Sequence, residues 1–87
     1  MNILPFHLNE PAEVILERPE GILVQGRYGD RVMFTLSDGR VMYVPPFVAS
    51  KIQAEGVEAG DRVQLCKTQI MNGNRRSIEW IVRRLEP

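Results

Sequence analysis

Between residues 22 and 85 the apolar positions fall into short runs cut by turn residues, a pattern of β-structure rather than of long helices. Ile22-Leu23-Val24-Gln25-Gly26-Arg27 reads as a strand, with Gly26 a candidate bulge. Tyr28-Gly29-Asp30 follows as a tight turn. Positions 31–37 alternate and are β-branched and aromatic; Asp38-Gly39 is then a hairpin signal, and 40–44 is the returning strand. Pro45-Pro46 stops that strand, with Pro46 placed as the first residue of a helix. The helix covers 47–55 with Val48, Ala49 and Ile52 on one stripe, and Gly56 ends it so that Val57 folds back on Ile52. Residues 58–61 turn into a strand over 62–70, Asn72-Gly73 is a second hairpin signal, and 77–85 is the last strand.

A two-residue turn at Asp38-Gly39 sets a register, with Leu36 opposite Val41, Phe34 opposite Tyr43 and Met33 opposite Val44. One face then carries Val32, Phe34, Leu36, Val41 and Tyr43 and is expected to be core. The other carries Arg31, Met33, Thr35, Ser37, Arg40, Met42 and Val44 and is expected to be partly wet. Ile78, Trp80 and Val82 share the inward parity of the last strand. Ile81 and Leu85 leave its outer face partly apolar, which suits contact with the N-terminal segment or with a second copy. Phe34, Tyr43 and Trp80 are expected to fill the core, because small barrels need large side chains inside.

Residues 1–21 differ from the rest. They hold three of the six prolines and four acids, and are expected to form an N-terminal extension laid against a domain of residues 22–87. Val14-Ile15-Leu16 fits a short strand or one helical turn, a run too short for periodicity to decide. The whole chain of 87 residues, 44% hydrophobic and 25% charged, is one small globular domain by composition. No apolar run approaches the roughly 18–20 residues that span a bilayer, so no membrane association is expected. No secretory signal is read at the start, where Pro5 interrupts a short apolar stretch, and the expected setting is cytoplasmic.

Catalytic chemistry is poorly provided for. The single Cys excludes a disulfide framework and a Cys-cluster metal site, and no His/Cys/Asp/Glu spacing suits a metal. Gly21, Gly26 and Gly29 belong to a strand–turn pattern rather than to a phosphate-cradling loop before a helix. Cys66 and His7, the sole members of their types, lie in different segments with nothing to join them as nucleophile and base. The chain is therefore expected to be neither an enzyme nor the holder of a cofactor.

Charge is unevenly spread. The formal net charge is zero, yet residues 1–61 carry nine acids against five bases. Residues 62–87 reverse the balance, with six bases, five of them Arg, against two acids. Arginine suits bidentate phosphate contacts and stacking on bases.

The order strand-strand-strand-helix-strand-strand over residues 22–85 resembles the OB-fold, a five-stranded Greek-key β-barrel with a capping helix between its third and fourth strands. The likeness is one of topology, with no family motif matched. An SH3-like barrel is the alternative, and the helix of about nine residues favours the OB-like, all-β architecture. The resemblance implies binding through the face of the second and third strands and through the loops joining strands one to two and four to five. By position those loops are Tyr28-Gly29-Asp30 and Met71-Asn72-Gly73-Asn74, flanked by Arg27 and Arg31 and by Arg75 and Arg76. The candidate nucleic-acid-binding set is therefore Arg27, Tyr28, Arg31, Arg40, Lys67, Arg75 and Arg76, with Met33 and Met42 beside them. The expected ligand is single-stranded DNA or RNA, held with little sequence specificity by arginine–phosphate contacts and base stacking. Asp30 and Glu79 stand against phosphate there, and arginines beside tight turns are commonly just solvated. The competing expectation is a protein–protein interaction module, a small subunit or inhibitor docking through a barrel face or strand edge. Self-association is compatible with either.

Overall fold

The computed structural model describes residues 2–85; Met1, Glu86 and Pro87, and with them the end of the expected 22–87 domain, lie outside it. The chain is mostly β: β1 (Ala12–Ile15), β2 (Ile22–Gly26), β3 (Gly29–Thr35), β4 (Val41–Val44), α1 (Pro46–Ala54), β5 (Arg62–Asn72) and β6 (Arg75–Leu85). That is one strand more than the sequence pattern predicts. Two three-stranded antiparallel sheets result, ordered β1-β5-β6 and β2-β3-β4. They meet at an antiparallel bridge between Leu16 and Leu36, and among the described residues they do not close into a barrel.

The undecided run at 14–16 is strand. Val14 pairs with Val63 and Leu16 bridges Leu36, so their side chains enter the core from the junction of the two sheets. Residues 2–9 also hold to the sheets. The Val41 N–H donates to the Asn2 carbonyl (3.0 Å), and the Leu4 N–H donates to the Val41 carbonyl (2.8 Å). Farther on, the Asn9 N–H donates to the Lys67 carbonyl (2.7 Å).

The β3–β4 register differs from the expected one by one residue. Val41 lies opposite Thr35, Met42 opposite Phe34 and Tyr43 opposite Met33. The turn is the reason. The Gly39 N–H donates to the Leu36 carbonyl (3.0 Å) and the Leu36 N–H to the Arg40 carbonyl (2.9 Å), so the loop is Ser37-Asp38-Gly39. Gly39 has φ +90°, the left-handed residue that closes a three-residue hairpin loop. The Asp38 carboxylate accepts from the Arg40 N–H (3.0 Å) and Nε (2.8 Å), which favours this longer loop. One added residue exchanges the faces of β4. Met42 and Val44, expected on the wet face, are buried in the core with Phe34 and Leu36. Tyr43, expected in the core, lies half-buried on the opposite face, and Val41 on that face is buried beside residues 2–4.

Helix α1 follows the sequence closely. Pro46 is its first residue, and Val48, Ala49 and Ile52 are its buried stripe. The Gly56 N–H donates to the Gln53 carbonyl (3.0 Å), and Val57 joins Ile52 in the core. The second hairpin is longer than expected. Asn72 pairs with Arg75, leaving a two-residue Gly73-Asn74 turn, and Gly73 (φ +63°) takes its first central position. Beyond the last β1 pair at Leu65, β5 and β6 continue as a two-stranded arm. This explains why Ile78, paired with Gln69 on that arm, is exposed although Trp80 on the same face is buried.

Candidate functional site

The arm and the outer face of β3–β4 are the two sides of a cavity of about 650 Å³. Four aromatic rings and two cations line it: Phe6, Tyr43, Phe47, Trp80, Arg31 and Lys67. Alternation along β3 and β4 puts Arg31 and Tyr43 on one face, and the Arg31 guanidinium carbon stands 4.4 Å from the Tyr43 ring centroid. Lys67 pairs with Trp80 across the β5–β6 ladder, so both share the face toward the cavity. Phe6 meets Trp80 edge-on, with centroids 5.1 Å apart and planes at 75°. It brings Ile3 and Leu4 with it as part of the same wall. Phe47 sits in the first turn of α1, off the buried stripe, and is 54% exposed.

No carboxylate lines this cavity among the described residues. Asp30 and Glu79, the two acids that stood against phosphate, neighbour Arg31 and Trp80 in sequence. Strand alternation therefore turns both to the opposite sheet faces. The ion pairs of the described residues lie elsewhere: Arg40–Asp38 (2.8 Å), Arg62–Glu13 (3.0 Å) and Arg84–Asp61 (3.0 Å). Arg31, Lys67, Arg75 and Arg76 take part in none of them.

The seven candidate residues are thus partly gathered. Arg31 and Lys67 line one cavity. Arg27 and Tyr28 form the two-residue turn between Gly26 and Gly29, roughly two strand rises beyond Arg31, with Tyr28 97% exposed. The expected turn at 28–30 and the bulge at Gly26 are replaced by a regular Gly26–Gly29 pair. Arg76 shares the face of Ile78 and Trp80 near the tip of the arm, whereas Arg75 alternates to the other face. Arg40 does not belong to the site. It lies at the opposite end of the seven-residue β3, about 20 Å from the Tyr28 turn, and its guanidinium is held by Asp38. Met42 is in the core and leaves the site as well.

Sequence reasoning misses most of the rings. Trp80 is in the core as expected and still borders the cavity, Tyr43 leaves its expected core place, and Phe6 and Phe47 carry no expected role. Phe47 was detectable, because it falls off the Val48–Ala49–Ile52 stripe directly after the helix-starting proline. Phe6 carries no such signal, since its position depends on backbone bonds to Val41 and Lys67 far along the chain. No helix among the described residues is long and apolar enough to cross a membrane. Neither a family model, nor a curated protein, nor a solved structure matches this chain.

Proposed function

We propose that this chain binds single-stranded nucleic acid with little sequence preference, and that the cavity between β3–β4 and the β5–β6 arm holds the strand. One observation carries the proposal: exposed and half-buried rings stand beside cations that form no ion pair, in a cavity that no carboxylate lines, among the described residues. Single strands offer bare base faces and regularly spaced phosphates. Rings at stacking reach and Arg/Lys at backbone reach answer both. The meander β2-β3-β4, the helix and the β5–β6 hairpin support an OB-like small barrel, partly open, with β1 added before it. In that reading the cavity lies against the strand face through which OB-folds take nucleic acid. Binding rather than catalysis fits the chemistry at hand. His7 is exposed, Cys66 alternates to the face of β5 opposite Lys67, and neither lines the cavity.

Fluorescence anisotropy of a labelled single-stranded oligonucleotide, at low and physiological salt, tests this. Contacts from Arg31, Lys67 and Arg76 to three phosphates give a slope of log K against log salt of about −2. Phe47→Ala removes a stacking ring worth roughly 1–3 kcal/mol, about a 5- to 150-fold loss of affinity. Arg40→Ala leaves affinity unchanged. No binding at low salt, or equal losses from Arg40→Ala and Phe47→Ala, would overturn the proposal and favour a protein partner.

A further inference from the structure

Two open sheets have four edge strands, and each must satisfy or protect its outward backbone groups. Two of them, and the α1-facing part of a third, are accounted for; the rest of that third edge, residues 75–79 of β6, is guarded by charge at Arg75, Arg76 and Glu79. The edge of β4 is taken by residues 2–4, through both the N–H and the carbonyl of Val41. The edge of β1 passes into the end of β3, with the Ser37 N–H donating to the Ile15 carbonyl and the Glu17 N–H to the Thr35 carbonyl (2.9 Å each). The edge of β6 is covered by α1 over residues 80–84: Lys51 Nζ donates to the Trp80 carbonyl (3.0 Å), and Glu55 Oε1 accepts from the Arg84 N–H (3.3 Å).

Strand β2 is the exception. Its free side has no backbone or side-chain hydrogen-bond partner among the described residues. Its sequence, Ile-Leu-Val-Gln-Gly, has no charge, no proline and no bulge, the usual devices that keep an edge unpaired. Ile22 and Leu23, on opposite faces, are 58% and 56% exposed. An uncharged strand set antiparallel against itself opposes no like charges. The flanks favour the same arrangement. The two-fold brings Glu20 of one copy beside the Arg27 turn of the other, so that opposite charges meet at each end of the paired strands.

We propose that β2 is a self-association edge, pairing antiparallel with β2 of a second copy about Val24 to make one continuous six-stranded sheet. No residue of β2 lines the cavity, so each copy keeps its own site.

Light scattering on the eluting 87-residue chain, with sedimentation velocity over a wide concentration range, tests this. The expected mass is twice the 10.0 kDa of one chain. Leu23→Glu places like charges across the two-fold and is expected to weaken association about tenfold or more. Ile22→Glu, opposite Gly26 of the other copy and four residues from its own counterpart, is expected to weaken association less than Leu23→Glu. Both retain the parent far-UV circular dichroism, since both positions are exposed. An equimolar mixture of Leu23→Glu and Leu23→Lys chains regains the doubled mass. Ile81→Glu, on the exposed outer face of β6, leaves association intact. A wild-type chain of single mass at every concentration overturns the proposal. So does a dimer that Ile81→Glu dissociates and Leu23→Glu does not.

Discussion

Gly21, just before β2, is fixed by space rather than by backbone conformation. Its φ is not in the left-handed region, yet a Cβ there would lie 2.2 Å from Val32 Cγ1, 2.9 Å from Phe34 Cζ and 3.1 Å from Phe34 Cε2. Phe34 is wholly buried and cannot yield; Val32 packs against the same cluster with a β-branched, stiff χ1. Overpacking of this kind costs about 1–3 kcal/mol. A strain-free Gly→Ala change would return about 0.4–1 kcal/mol through the unfolded chain. Gly21→Ala is therefore expected to lose about 1–2 kcal/mol, a fall in Tm of about 5–15 °C for a domain of this size. Urea unfolding read by Trp80, the single tryptophan and itself a core residue, measures it directly. Val32→Ala removes the atom in conflict, so the double variant should cost less than the two single changes added together. A Gly21→Ala chain as stable as its parent, or strict additivity with Val32→Ala, would refute the argument.

Two further outcomes follow from named contacts. The Asp38 carboxyl is held below its ordinary value, first by the Arg40 backbone N–H and then by the Arg40 side chain. The depressed value means that the stabilisation is present above the ordinary carboxylate range. It is lost as pH falls below about 4, through the folded value. The Arg40 amide resonance should titrate in that acid window and stay flat in Asp38→Asn; an amide unmoved by acid would count against the loop described. Phe6→Leu removes the edge-on ring pair with Trp80, worth about 0.5–1.5 kcal/mol beyond area. Trp80 emission should shift to the red, and unchanged emission would show that Phe6 does not cover the indole.

The sequence reveals local features well and long-range ones poorly. Pro46, the Val48–Ala49–Ile52 stripe and Gly56 delimit α1 because a helix is specified by neighbours three and four residues apart. The Asp38-Gly39 hairpin was legible as a turn but not in its register. An Asp-Gly pair serves both two- and three-residue loops, and the choice depends here on the bonds that Asp38 makes to Arg40. That single residue moved Met42 and Val44 inward and Tyr43 outward. Arg31 and Lys67 were identified from charge and position. Their aromatic neighbours were not, since Phe6 reaches Trp80 only after residues 2–9 have bonded to β4 and β5.

The placement of the first strand also sets an order of events during synthesis. Residues 12–15 pair with residues 62–65, and Asn9 bonds to Lys67, so the start of the chain is without its partners until most of the chain has left the ribosome. The β2-β3-β4 meander and α1, built from near neighbours, are complete by residue 54. Long loop closures come late and slowly. Val14, the buried centre of β1, is thus expected to act after the folding barrier: Val14→Ala should speed unfolding and barely slow folding. The waiting segment ends in the same Val14 and Leu16 that join the two sheets, so residues made before the meander dock after it.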